Sequence, residues 1–171
     1  MTIEKTIERL KRDWSEPRSP LNSDHSLSDF SLACTFAESC VSGEDWKRAV
    51  SVIPHDLRTF WKRSECAKLF EDVKYGQWGL EILNGAEAAR ETNEQHSCRS
   101  NDFERGDLVV GRFLGDSDLL LVRCDSNAND FGSVIVALPL DPRQDWDRVA
   151  DSFEDFLETY ASAAGEKYWE R

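Results

Sequence analysis

Gly115, Asp116 and Ser117 form a triplet in which the serine could attack an ester. Such a serine needs a base that accepts its proton and donors that stabilise the oxyanion. No histidine follows His96, and strand-like apolar runs flank the triplet on both sides, whereas a nucleophile of this kind follows a strand and precedes a helix. The residues from Gly115 to Asp118 are typical of a loop between two strands. The sequence therefore predicts a hairpin turn and not a nucleophile.

Carboxylate pairs are a second group of residues that could do chemistry, either as acid and base or as ligands of a divalent cation. Adjacent pairs arise by chance in a chain with 33 acidic residues, so they do not indicate a site by themselves. The pairs considered are Asp116 with Asp118 and Glu71 with Asp72.

The five cysteines and three histidines are dispersed and form no metal-binding pattern. There is no Cys-x-x-Cys and no His-Glu-x-x-His, and we expect the thiols to be reduced and mostly buried. The sequence thus predicts a protein that is not an enzyme, with no catalytic residues, no metal and no cofactor. The residues concerned are Cys34, Cys40, Cys66, Cys98, Cys124, His25, His55 and His96.

Negative charge is concentrated in the C-terminal half of the chain. The formal net charge is −12, and residues 101–160 contain 14 acidic residues against five arginines, whereas the first 28 residues are balanced. Phosphate binding needs a basic surface, so nucleic acid is not expected as a partner. An acidic face can instead attract a basic protein, and six carboxylates are predicted to bind such a partner. They are Asp116, Asp118, Asp151, Glu154, Asp155 and Glu158.

The length of 171 residues suits one domain. No apolar run approaches the roughly 20 residues that span a bilayer, and the charged first residues lack the apolar segment of a signal peptide. We therefore expect a cytoplasmic protein that does not enter a membrane.

The spacing of apolar residues predicts helices in the N-terminal half. A first helix has its stripe at Ile3, Ile7, Leu10 and Trp14, and it should end before Pro17.

An irregular connector follows this helix, and residues 29–40 fit either a helix or an extended segment. Ser42 resembles an N-cap for a short helix through Trp46 and Val50. Pro54 suits the first turn of a further helix. Three apolar residues share one face of that helix: Leu57, Phe60 and Trp61.

Strands dominate the middle of the chain. "KLFEDV" and "WGLEIL" read as two short strands, and "LVVGRFL", "LLLV" and "SVIVAL" as three more, separated by Gly, Asp, Ser and Asn. "GAEAARETNEQ", between the two groups, predicts an exposed helix.

A last helix is predicted over residues 145–161, with one aromatic face and one acidic face. Phe153 and Phe156 should anchor it on the sheet. The order of the elements indicates an α+β fold with a largely antiparallel sheet.

The same stretches resemble, in order, motifs of the SUKH superfamily, which includes the Smi/Knr cell-wall regulators, the Syd protein and many bacterial immunity proteins. "VIPHDLRTFW" resembles the family's Leu-Pro-x-Asp-x-x-x-Phe-Leu opening, and "GDLVVGRFLGDSDLLLV" its strand, polar turn and strand. "GSVIVAL" is similar to the Gly-x-Val strand that follows, and "RVADSFEDFLETY" to the terminal helix. The resemblance covers about residues 45–160, and residues 1–40 match no family motif.

The resemblance implies a single SUKH-like α+β domain, with an antiparallel sheet packed against helices and an N-terminal helical extension. The expected boundaries are 1–44 for the N-terminal helix and connector and 45–171 for the domain. It also implies a non-enzymatic protein-binding domain, namely an immunity protein that neutralises a co-encoded polymorphic toxin, with a basic toxin domain as partner. The alternative is a Smi/Knr- or Syd-like regulatory scaffold that binds a cellular protein. The oligomeric state stays open.

Overall fold

The computed structural model describes residues 2–21, 26–38 and 44–170, and these contain four α-helices and seven β-strands. The helices are α1 (Ile3–Asp13), α2 (His55–Arg63), α3 (Gly85–Cys98) and α4 (Phe153–Ser162). The strands are β1 (Leu32–Phe36), β2 (Ala67–Asp72), β3 (Leu80–Ile82), β4 (Asp107–Phe113), β5 (Leu119–Arg123), β6 (Val134–Ala137) and β7 (Asp147–Ala150). Short 3-10 turns cover Asp45–Arg48, Arg143–Asp145 and Tyr168–Glu170.

The seven strands form one sheet in which each strand pairs antiparallel with the next along the chain, in the order β1 to β7. Together with the helices, this sheet confirms the predicted α+β fold class. It also settles the ambiguous segment 29–40, because Leu32–Phe36 is a strand. The expected N-cap Ser42 lies outside the described residues, and the short helix predicted after it is a 3-10 turn at Asp45–Arg48.

The prediction of a helix over residues 145–161 is wrong for the first half of this range. Asp147–Ala150 instead forms β7, which pairs with β6 and completes the sheet. Ser152 then caps α4, because its hydroxyl oxygen accepts the N–H of Asp155 at 3.0 Å, and the helix begins only at Phe153. Phe153 and Phe156 are fully buried, as expected of residues that anchor this helix.

The predicted exposed helix exists as α3, but one of its faces is buried. Asn84 and Glu87 form a capping box at its start. Ala88 is buried, and the hydroxyl of Thr92 donates to the Ala88 carbonyl at 2.7 Å and accepts the N–H of Val109 in β4 at 2.9 Å. This helix therefore packs against the sheet through small residues, which a count of helix-forming residues does not reveal.

The N-terminal helix shares the core of the sheet and of α4. Ile3, Ile7 and Leu10 are buried in the same cluster as the apolar residues of the strands. The N–H of Ile3 donates to Glu154 of α4 at 3.0 Å, so a carboxylate 151 residues away satisfies the first turn of α1. After α1, Arg18 pairs with Leu32 and covers part of the outer edge of β1.

A bulge in β2 carries the residue at the centre of the core. The register between β1 and β2 shifts so that Leu69 and Phe70 lie opposite Cys34. Phe70 has a φ of +53°, and its N–H donates to the Cys34 sulfur at 3.3 Å. Its ring packs edge-on against Trp14 at 4.9 Å and against Tyr160 at 5.5 Å. Phe70 thus joins the end of α1, the sheet and α4.

Gly165 allows the chain after α4 to pass directly over Phe70. It has a φ of +83°, and a Cβ there would lie 2.5 Å from the Phe70 Cβ. Gly165→Ala should therefore cost both the left-handed strain of about 1–2 kcal/mol and an overpacking penalty of about 1–3 kcal/mol. The free energy of unfolding in urea measures the sum.

Gly76 provides a matched control for this substitution. Its φ is +63°, but no atom lies within 4 Å of a Cβ built there. Gly76→Ala should therefore cost only the backbone strain. Equal losses of stability in the two variants would show that Phe70 does not restrict the residue at position 165.

Candidate partner-binding surfaces

The loop that contains Ser117 joins β4 to β5 as a hairpin, as predicted. The N–H of Phe113 donates to the Asp118 carbonyl at 2.8 Å, and Gly115 and Ser117 adopt φ values of +102° and +69°. The described residues that line the shallow pocket beside Ser117 include no histidine. Ser117 is therefore a turn residue, and no histidine lies beside it among the described residues of that pocket.

Two of the six predicted partner-binding carboxylates, Asp116 and Asp118, contact Lys167 in the segment after α4. The Lys167 ammonium lies 2.7 Å from the Asp118 carboxylate and also hydrogen-bonds Asp116. The side chains of Asp118 and Lys167 are both buried. These charges hold the C-terminal segment to the hairpin, so Asp118 presents little charge to solvent.

The same contacts shift the pKa values of both partners. Burial disfavours the Lys167 ammonium, but hydrogen bonds and charges from Asp116 and Asp118 outweigh it and raise the pKa of Lys167. Burial raises the pKa of Asp118, although Lys167 acts against that shift. A raised lysine pKa contributes stability below the ordinary lysine pKa, and this contribution is lost as pH rises through the raised value.

The other four predicted carboxylates lie around the start of α4, and they differ in their surroundings. Asp151 was expected on the acidic face of the last helix, but it precedes that helix. It is exposed and pairs with Arg148 at 2.7 Å. Asp155 is exposed and accepts the Ser152 hydroxyl at 2.7 Å. Glu154 is half-buried because it bonds to α1, and Glu158 is also half-buried.

Further acidic residues of the C-terminal half form ion pairs with arginines of the same domain. Asp107 is fully buried, and its two oxygens lie 2.6 Å from Arg123 and 2.6 Å from Arg143. Asp130 accepts from Arg123 at 2.9 Å, and Glu104 lies within 3.4 Å of the same arginine. This part of the acidic charge therefore stabilises the strands and loops that it joins, and less of it faces a partner than the sequence suggests.

An apolar groove of about 720 Å³ opens elsewhere on the surface, and sequence reasoning did not find it. Four large apolar side chains line it while remaining exposed: Leu21 (62%), Phe30 (53%), Tyr75 (59%) and Trp78 (40%). Pro20, Leu32 and Ala164 complete its apolar lining. Single exposed apolar residues are ordinary, but a contiguous set marks an interaction site.

The turn between β2 and β3 positions one wall of the apolar groove. Asp72 ends β2, where its carboxylate accepts the N–H of Lys74 at 2.9 Å and its carbonyl accepts the N–H of Gly76 at 2.8 Å. These bonds fix a turn that projects Tyr75 and Trp78. The signal in the sequence was an aromatic residue on each side of a glycine turn, where polar residues are usual.

Asp72 is also the acidic group of the apolar groove. It is buried and lines the groove, and no Lys, Arg or His nitrogen of the described residues lies within 4.0 Å of its carboxylate. The ammonium of Lys74 lies instead over the Tyr75 ring, 4.8 Å from its centre. The apolar groove therefore combines exposed aromatic surface with a carboxylate that lacks a cation.

A cluster of metal ligands and a membrane-spanning helix are both absent from residues 2–21, 26–38 and 44–170. Within those ranges no group of three His, Cys, Asp or Glu residues could hold a metal ion, and no helix is long and apolar enough to cross a membrane. Burial raises the pKa of the Cys34 thiol to about 12, so this cysteine stays protonated and is a poor nucleophile.

These features define an α+β domain built on a single antiparallel sheet, with surfaces suited to binding a protein. The model of the SMI1 / KNR4 family (SUKH-1) matches residues 49–159, and the chain belongs to this family. No curated protein matches the chain. Members of the family are generally non-catalytic, and SUKH domains are commonly immunity proteins. The boundary at residue 44 remains a prediction, while α1, β1 and the segment around Lys167 lie outside the matched residues.

Lys167→Met should destabilise the protein by about 3–5 kcal/mol, because it leaves the buried Asp118 carboxylate without its cation. The double variant Asp118→Asn/Lys167→Met should recover a large part of that loss, as measured by urea unfolding at pH 7. The difference between wild type and Lys167→Met should shrink as pH rises above about 10.4, where lysine begins to lose its proton in the unfolded chain.

Lys47→Met is the control, since Lys47 pairs with Glu44 at the exposed surface. It should cost at most about 1 kcal/mol. A double variant no more stable than Lys167→Met would argue against the buried pair.

Proposed function

We propose that this protein is a non-enzymatic protein-binding domain, and specifically an immunity protein that binds and neutralises a co-encoded toxin. The observation that carries the proposal is the apolar groove, in which four large apolar side chains stay exposed side by side. Exposing such a surface is costly unless a partner covers it. The generally non-catalytic character of the family supports binding as its role.

The net charge of −12 favours a basic partner, such as a toxin domain that acts on nucleic acid. Part of this charge is held in internal ion pairs. Of the six carboxylates predicted to bind the partner, Asp116, Asp151 and Asp155 are exposed, and the last two flank Ser152, the N-cap of α4, in the sequence. We propose that these two residues steer the partner toward the protein.

A regulatory scaffold is the second candidate, because the matching family model is that of SMI1 / KNR4. The neighbouring genes distinguish the two functions. A reading frame directly upstream that ends in a toxin domain favours immunity, and the absence of one favours the scaffold.

The direct test is co-expression with the toxin domain encoded upstream. An immunity protein should restore growth and form a complex with that domain in gel filtration. Growth arrest that continues while both proteins are present in folded form would contradict the immunity function.

Asp151→Asn/Asp155→Asn should slow association with that toxin domain by roughly twofold or more and flatten its salt dependence, because steering charges act on the association rate. Stopped-flow mixing at low and high salt measures both effects. The matched control is Glu8→Gln/Glu16→Gln, which removes two exposed charges from the balanced N-terminal segment. If the control slows association as much, net charge alone steers the partner.

A further inference from the structure

We propose that the apolar groove binds a short apolar segment of the partner that carries a lysine or arginine, whose cation pairs with Asp72. This inference rests on the proposed binding function and specifies the chemistry of the segment that is bound. It joins two properties of one site, an exposed aromatic wall and a carboxylate that pairs with no cation of the described residues.

The size of the apolar groove suits a short segment. Its volume of about 720 Å³ falls in the range of sites that enclose a small ligand. Phe30 and Trp78 line it and stay partly exposed, so its apolar side chains are accessible from solvent. Aromatic side chains such as Tyr75 and Trp78 supply large contact areas with little loss of conformational entropy, and they often dominate binding energy.

The charge of the apolar groove selects a cation and rejects an anion. Asp72 is buried at the groove, and among the described residues its carboxylate accepts a hydrogen bond only from the backbone N–H of Lys74. Glu166 also lines the groove and adds negative charge. The Lys74 ammonium already lies over the Tyr75 ring, whereas the face of Trp78 can attract a partner cation through its π electrons. A partner lysine or arginine would therefore meet a carboxylate and an aromatic face together.

The occupant is a different protein and not a second copy of this chain. Each copy carries a net charge of −12, so two copies repel each other, whereas the groove calls for a basic segment. Seven described residues that line the groove lie outside the residues 49–159 that match the family model: Pro20, Leu21, Ser28, Phe30, Leu32, Ala164 and Glu166. The groove is therefore partly built from segments that the matched domain does not include, as expected of a surface that selects its own partner.

Selection from a random heptapeptide display library on the immobilised full chain tests this inference without any knowledge of the natural partner. Enriched peptides should combine aromatic or aliphatic residues with at least one lysine or arginine. Trp78→Ala should weaken their binding about tenfold or more. Phe131→Ala should leave binding unchanged, because Phe131 is exposed to a similar extent (38%) but lies outside the groove.

Asp72→Asn tests the cation, since the amide oxygen can still accept the Lys74 N–H and keep the turn. Each protein is tested on the selected peptides and on versions in which glutamine replaces the lysine or arginine. Wild type should prefer the basic versions by about fivefold or more, whereas Asp72→Asn should bind both versions equally. A melting temperature near that of wild type shows that the turn is intact. If Asp72→Asn unfolds, the preference of wild type for basic over glutamine peptides, and its reduction in Trp78→Ala, decides the question.

Acidic or purely polar enriched peptides, no enrichment, or binding unaffected by Trp78→Ala would each overturn the inference. Binding to the upstream toxin domain distinguishes a failure of this inference from a failure of the proposed function. If wild type and Trp78→Ala bind that domain equally, the groove is not the interface, although the immunity function stands. If wild type does not bind it, the immunity function fails, and the peptide results still decide the chemistry of the groove.

Discussion

The contact between Phe70 and Tyr160 is the interaction on which the rest of the structure depends. Phe70 reaches it from a bulge in β2, and Tyr160 reaches it from α4. Trp14 packs on the other side of Phe70 and brings α1 into the same core. Gly165 lacks a side chain where the chain passes over this ring. Elements from both ends of the sequence thus meet at one residue, and the ends pack beside the middle of the sheet.

This arrangement explains why residues outside the family match contribute to both surfaces discussed above. Trp169 packs against Phe113 and Phe156 at 5.5 and 6.2 Å, and Lys167 holds the hairpin carboxylates beside it. The matched residues 49–159 therefore form the larger part of the sheet, while the flanking segments close its core and build one side of the apolar groove. Binding properties can then change through the flanks without a change in the sheet.

Local patterns in the sequence predicted the elements that depend on local interactions. The stripe of α1 and the glycine turn before β5 needed only near neighbours, and both were confirmed. Residues 147–150 were predicted wrongly because the apolar spacing fits a helix, whereas the partner that makes them a strand is β6. The burial of Asp118 depends on Lys167, 49 residues away. The apolar groove unites residues near 21, 75 and 164, which no local pattern connects.

The bond between Ile3 and Glu154 has a consequence for the order of events during synthesis on the ribosome. Strands that pair with their immediate neighbours can associate as the chain emerges, because each pairing joins strands that follow one another in the sequence. The apolar face of α1 can meet β1 and α2 early, but its contact with α4 must wait, since α4 begins 140 residues after α1 ends. At about 5–20 residues per second, this interval lasts roughly 7–28 seconds. During that time the nascent chain exposes part of the apolar face of α1, because α4 has not yet been synthesised. A chaperone that binds apolar segments would therefore act mainly in this period.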